Sequence, residues 1–232
     1  MATPEFWQAF WLTGKLAATT TLLLLAVGIP IAYFLYTSRT RTAPLVEALV
    51  TLPIVLPPTV IGFYLLVLFS PDNPLGHAWQ ALFGQPLAFS FSGLVAASVV
   101  YSLPFAVQPF QAAFRGVSRE WVEASFALGA GRRQTFLRVV LPAARRGVWA
   151  GMTLSFAHTL GEFGVVLMVG GSIPGQTRVV SIALYDEVQK LNFAHAHAFA
   201  AVLLAVAFVL LLAVTMLQAR WGRAMGPPIT HP

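Results

Sequence analysis

The chain has 232 residues, of which 57% are hydrophobic and only 9% charged, and its mean hydropathy is +0.75. A soluble domain carries about 25% charged residues, so this chain cannot cover a folded surface with polar groups, and lipid must be part of its solvent. The formal charge of +6 does not point to nucleic acid, because the basic residues sit between apolar runs and form no continuous stripe. With no cysteine, a disulfide framework, a thiolate nucleophile and a cysteine metal site are excluded.

A spanning helix needs about 20 apolar residues, and five stretches meet that requirement. Residues 1–15 precede the first, as an outer or interfacial segment. Its first charges are Glu5 and Lys15, and no basic start leads into a short apolar run with a small-residue cleavage site, so it does not read as a cleavable signal. The first span, about 16–37, is uncharged. The second, 48–70, is uncharged too but holds Pro53, Pro57 and Pro58. Proline is tolerated at membrane depth only where neighbours satisfy the freed carbonyls. The run 52–59 therefore predicts a kinked or interrupted helix facing protein or a cavity, and Pro57, Pro58 and Thr59 become candidates to line a pathway. The outer loop 71–86, with Pro71, Asn73, Pro74 and Gly76, reads as turns. The third span, 87–114, contains Pro104 and Pro109. The polar loop 115–146 follows, then the fourth span, 147–171, with Glu162 as the only acidic residue inside any span. The outer segment 172–193 predicts a short surface helix over 179–191. The fifth span, 194–219, ends in a tail at 220–232.

Lys and Arg set the orientation. Loops 38–47 and 115–146 and the tail hold eleven of them, whereas the other side holds Lys15, Arg178 and Lys190. The chain thus reads as an all-α polytopic membrane protein with its N-terminus outside and its C-terminus in the cytoplasm. Trp7, Trp11, Trp79, Trp121, Trp149 and Trp221 fall in loops or near span ends, where aromatic belts form.

Loop 115–146 is the longest polar segment. Ser118 is placed to cap a helix with Glu120 in its first turn. Trp121, Ala124, Ser125 and Leu128 share one face at helical spacing, Gly129 and Gly131 stop the helix, and a second short helix over 132–140 is separated from the next span by Pro142. Two readings stay open on composition: a docking element, or an amphipathic helix resting on lipid headgroups.

The order Glu123-Ala124-Ser125, three residues, Gly129, nine residues, Val139-x-Leu141-Pro142 resembles the Glu-Ala-Ala motif of bacterial ABC importer permeases, with Ser125 for the third-position Ala and Val139 for Ile. The resemblance implies a type I importer permease fold whose coupling helix sits in a groove of an ATPase. It gives Glu123, Ala124, Ser125, Gly129, Leu141 and Pro142 the coupling role, Gly129 supplying the turn and Glu123 a polar anchor. Two further stretches, 52–64 and 159–178, resemble the molybdate permeases and their sulfate relatives. The permease domain implied covers 16–219. The implied assembly is a second copy of the chain, a dimeric ABC ATPase (ModC-like) and an extracytoplasmic molybdate-binding protein (ModA-like) in a bacterial inner membrane. Tungstate, sulfate and thiosulfate are the alternative cargoes. The sequence has no Gly-x4-Gly-Lys-Ser/Thr phosphate loop, so the chain is expected not to be an enzyme and to hold no cofactor, with ATP and Mg on the partner ATPase.

An intramembrane ionisable group is a functional candidate. Glu162 is expected at a gate or in an interhelix hydrogen bond rather than on an oxyanion, since two negative charges repel in a low dielectric. His158, four residues earlier, shares its helix face, and a local hydrogen-bonded pair is expected. His195 and His197 read as interface residues rather than metal ligands. Gly170 and Gly171 either let helices approach closely or offer backbone N–H groups to a passing anion. Arg178 either pairs with the binding protein or stands solvated. Among other classes, an intramembrane serine protease lacks its Gly-x-Ser-x-Gly signature, and a carrier would show repeat symmetry and paired broken helices, neither of which is visible in the sequence.

Overall fold

The computed structural model describes residues 4–223, with side chains of the last helix described to Met216. Trp221 and the two tail arginines, as side chains, and the tail beyond Arg223 lie outside the described residues. Eleven α-helices and one π-helical turn make up the described chain: α1 Pro4–Thr37, α2 Ala43–Val55, α3 Pro58–Phe69, α4 Pro74–Phe83, α5 Phe91–Arg115, α6 Arg119–Ala127, α7 Arg132–Thr135, the π turn Phe136–Val140, α8 Leu141–Gly161, α9 Gly164–Gly170, α10 Val180–Gln189 and α11 Phe193–Arg223.

Three helices, α1, α5 and α11, are long and apolar enough to cross a membrane alone, and two broken pairs, α2 with α3 and α7–α8 with α9, bring the number to five. Five spans, as the sequence leads one to expect, result if each bent pair is counted as one span, and the elements differ from those expected. Helix α1 begins at Pro4, so most of 1–15 continues the first span as helix rather than preceding it. At about 1.5 Å per residue its 34 residues outrun a hydrocarbon core of about 30 Å. The surplus carries Trp7 and Trp11, which are 61% and 76% exposed. Residues 74–83 form a helix where turns were expected. Asn73 caps it by accepting from Leu75 N–H, Pro74 occupies the first position, and Gly84 closes it at φ +70°. Helix α10 is not a surface helix along its whole length: Val180, Ile182 and Ala183 are buried, and the Thr13 hydroxyl of α1 accepts from Val180 N–H at 2.9 Å to cap its first turn.

The core lies between α1, α5 and α8. Leu24 and Ala32 meet Phe110 and Phe114, with Val140, Ala144 and Val148 on the third side. Close approach needs small residues there: a Cβ on Gly147 would stand 2.3 Å from the Cβ of Ala113. A second cluster joins α3 and α9 to α5 through Ile61, Leu65, Val165 and Val169. Helix α11 packs by its first turns, where Phe199 stacks on Phe6 and Phe10. Its later residues Leu204, Phe208, Val209 and Leu211 are exposed, as suits a lipid-facing surface.

Candidate functional site: a groove on the polar loop and a pocket between two broken helices

The polar loop folds as a short helix, a glycine turn and a second helix. Helix α6 ends in a full Schellman arrangement. Gly129 takes φ +83°, its N–H donates to Phe126 O at 2.9 Å, and Ala130 N–H donates to Ser125 O at 3.1 Å. The Ser125 hydroxyl lies 2.9 Å from that of Thr135, which is buried, so α6 is pinned to α7. The expected break at Pro142 does not occur. The chain widens into the π turn Phe136–Val140, where Leu141 N–H reaches back five residues to Phe136 O. The ring of Pro142 would clash with the carbonyl four residues back in an α-helix, and the wider turn accommodates it. Helix α8 thus continues from α7 without a break, and Leu141 packs into the main core.

These helices enclose an apolar groove of about 700 Å³ lined by Trp121, Ala124, Ser125, Leu128, Val139 and Pro142, among others. Leu128 is 88% exposed, Trp121 60%. Ala124, Ser125 and Pro142 share the groove wall, whereas Glu123 and Gly129 are exposed beside it.

The second feature lies where the two broken pairs meet. Helices α2 and α3 bend by 115° at Leu56–Pro57, and α8 and α9 by 61° at Glu162–Phe163. The first break is the interruption that its prolines predict. The second carries no proline and was not foreseen, so paired broken helices are present after all. Gly161 and Gly164 bracket it, the signal that could have marked it. The breaks touch: a Cβ on Gly164 would stand 2.8 Å from the Cβ of Pro58, and one on Gly62 would stand 2.7 Å from Met168.

Between them is a pocket of about 600 Å³ lined by Pro58, Thr59, Tyr101, His158, Glu162 and Met168, among others. Glu162 is 4% exposed, and neither carboxyl oxygen has a hydrogen-bond partner among the described residues. The Ser98 hydroxyl approaches it without reaching hydrogen-bond geometry. Glu162 backbone is fixed nonetheless, its carbonyl accepting from the Ser181 hydroxyl at 2.6 Å. The expected His158–Glu162 hydrogen bond does not form. The helix ends at Gly161, and Glu162 turns extended at ψ 132°, which takes its side chain off the α8 face. His158 instead meets the Ser102 hydroxyl at 2.9 Å and stacks on Phe105 at 3.7 Å.

Other candidates fall elsewhere. Gly170 is buried against Leu94 and Thr177 and its carbonyl accepts from the Thr177 hydroxyl at 2.7 Å, while Gly171 makes the turn at φ +61°. Neither lines the pocket, and Gly170 serves close packing. Pro57 lies at the break but not on the pocket wall. Arg178 is neither solvated nor open to a partner: 13% exposed, it pairs with Asp186 at 2.9 Å, Glu5 at 3.3 Å and Glu187 at 3.6 Å. His195 lies 2.6 Å from Asn192 and 3.7 Å from Glu187, and no cluster of three metal-ligating side chains exists among the described residues.

The family model described as binding-protein-dependent transport system inner membrane component matches residues 24–223. The chain belongs to that family. As a member of the binding-protein-dependent inner membrane components, it is a multi-pass inner membrane permease subunit of an ABC importer. The molybdenum transport system permease protein ModB of Azotobacter vinelandii is 48% identical over 206 residues, covering 89% of this chain and 91% of that protein. The sulfate transport system permease protein CysT of Escherichia coli K12 is 34% identical, covering 96% and 83%. The same fold occurs in a solved MetNI methionine ABC transporter in an inward-facing conformation, with a TM-score of 0.74 at 18% identity over 98% of this chain and 100% of that one. The type I importer permease fold that the loop motif implied is therefore the fold observed.

Proposed function

We propose that this chain is the transmembrane pathway of a molybdate importer, working as two copies with a separate ATPase that holds ATP and Mg, and with an extracytoplasmic binding protein. The carrying observation is the 48% identity to a molybdenum permease along nearly the whole length of both chains. The oxyanion-type stretches 52–64 and 159–178 supply most of the lining of the pocket between the broken helices, with Tyr101, Ala157 and His158 completing it, which fits a cargo-specific role for them. The exposed groove of α6 and α7 receives the ATPase, and the unbroken run through the π turn into α8 carries its closure to the break at Glu162–Phe163.

In the mechanism, Trp121 and Leu128 supply apolar docking area, Glu123 a polar anchor, and Gly129 the turn that holds α6 against α7. Pro57 and Pro58 fix the bend, and Thr59 and Glu162 face the passing anion. Gly170 and Gly171 position α9 without touching cargo.

The test is reconstitution in proteoliposomes with the genomically adjacent ATPase and binding protein. Loaded binding protein should raise ATP hydrolysis several-fold, and molybdate should be taken up with sulfate competing weakly. Uptake of sulfate in preference to molybdate would shift the reading to a sulfate permease, which the 34% identity to CysT keeps as the second reading. Absence of any ATPase stimulation by any oxyanion would overturn both.

A further inference from the structure

Among the described residues Glu162 is the one carboxyl among the buried side chains that lack a hydrogen-bond partner, and the Ser98 hydroxyl beside it lacks one too. A buried polar group without a partner costs free energy comparable to a lost hydrogen bond, and more if charged. The main chain of Glu162 is clamped at both sides, by Thr159 O to its N–H at 3.3 Å and by the Ser181 hydroxyl to its carbonyl at 2.6 Å. The side chain is therefore held in place but left unsatisfied. The pocket it lines holds no Lys or Arg. Its polar lining residues are Glu162, Tyr101, His158, whose Nδ1 is already engaged by Ser102, and Thr59. Thr59 follows two prolines and is thus the first residue of α3 to carry an N–H, at the positive end of that helix.

We infer that this pocket is a transit site for a tetrahedral oxyanion in which Glu162 is the hydrogen-bond donor. A dianion and a carboxylate cannot share a pocket that contains no cation. One proton resolves the conflict: it sits on Glu162, its O–H donates to an oxyanion oxygen, and Thr59 donates from the opposite wall through its N–H and hydroxyl. No covalent bond changes, and the proton remains on the carboxyl when the anion leaves. The site is weak because it offers the dianion no cation, which suits a passage that must release what it binds. This extends the proposed function: the oxyanion cargo comes from that reading, and the proton requirement comes from the pocket.

The titratable groups facing Glu162 are Tyr101 from α5 and His158 from α8; α3 and α9 contribute none to the pocket, and α10 reaches Glu162 only through Ser181. A single required proton makes uptake fall by up to tenfold per pH unit on the alkaline side of the Glu162 titration. Glu162→Gln keeps an N–H donor that does not titrate, and Glu162→Ala keeps none.

The experiment is ATP-driven uptake by the complete reconstituted complex across the whole pH range in which it hydrolyses ATP, using whichever oxyanion supports uptake. ATP hydrolysis is measured in parallel, so that pH effects on the ATPase and the binding protein divide out. Expected are a steep alkaline fall for the native chain, a flat profile at altered rate for Glu162→Gln, and at least a tenfold loss for Glu162→Ala with His158→Gln still pH-dependent. A native profile that is flat once corrected, a Glu162→Gln profile as steep as the native one, or a Glu162→Ala variant transporting at the native rate would each overturn the inference. None of these outcomes touches the permease assignment, which fails only if ATP hydrolysis and uptake are uncoupled in the native complex.

Discussion

Gly129 and Gly131 are two residues apart, and a Cβ on either would meet nothing within 4 Å. Their backbones separate them. Gly129 is left-handed at φ +83°, whereas Gly131 is extended at φ −73°, a conformation open to any residue. A side chain at Gly129 costs about 1–2 kcal/mol in backbone strain and loosens the two hydrogen bonds that close α6. A side chain at Gly131, the N-cap of α7, costs at most about 1 kcal/mol. Gly129→Ala should therefore reduce the stimulation of ATP hydrolysis by loaded binding protein about tenfold while the protein still folds and inserts. Gly131→Ala should keep most of it. Equal losses in the two variants, measured on the same reconstituted complex, would show that the turn's handedness is irrelevant to coupling.

At the scale of elements, what could be read from sequence depended on whether a residue announces itself chemically. Pro57 and Pro58 remove two N–H groups in a row, so the break between α2 and α3 was visible. The break at Glu162–Phe163 rests on an extended ψ at one glutamate and on tertiary support from Ser181, and its only local mark is the flanking pair Gly161 and Gly164, a weaker signal than two prolines. The same limit hid Arg178's surroundings. Its partners come from α1, 173 residues away, and from α10, and together they tie α1, the turn after α9 and α10 into one outer clamp. Conversely, helix α4 was legible in Asn73, Pro74 and Gly84 but outweighed by the density of turn residues around it. Glu187 extends the clamp to α11 through Lys190, Asn192 and His195. The hydrogen bond from Lys190, aided by Asn192 and by the neighbouring positive charges, holds its carboxyl below the usual glutamate range. A lowered folded value means that the contribution is complete above the ordinary pKa of about 4.3 and is lost as pH falls through the folded value. Glu187→Gln should thus lower thermal stability at neutral pH, by at most about 1 kcal/mol for a partly solvated network. The difference from the native chain should shrink on acidification below the ordinary glutamate range and vanish once the carboxyl is protonated in the folded chain. A difference that persists there in thermal melts of the purified protein would mean that packing, not charge, is what the substitution removes.

For the whole molecule, the charge pattern and the folded elements make one joint statement about orientation. With five spans, Arg39, Arg41, Arg115, Arg119, Arg132, Arg133, Arg138, Arg145 and Arg146 all fall on the side of the α6–α7 groove, and among the described residues none of them forms an ion pair. The single arginine on the other side, Arg178, is paired three times over with carboxylates. Lys and Arg retained on the cytoplasmic face set topology, and arginines without acidic partners keep that bias undiluted. Five spans then place Asp72 and the helix after it outside and Ser38 and Gly131 inside. The absence of cysteine makes this directly measurable, because any thiol introduced is the only one present. Asp72 and Ser38 both lie in exposed or half-buried turns that tolerate a small side chain. In intact cells a membrane-impermeant maleimide should label Asp72→Cys and leave Ser38→Cys and Gly131→Cys unlabelled until the membrane is opened. Labelling of Ser38→Cys from outside would invert the chain, put the α6–α7 groove on the wrong face for an ATPase, and remove the basis for the coupling role of Glu123 and Gly129. Labelling of both Asp72→Cys and Ser38→Cys from one side would instead mean that α2 and α3 form a re-entrant loop rather than a bent span, leaving the pocket beside Glu162 open to that side alone.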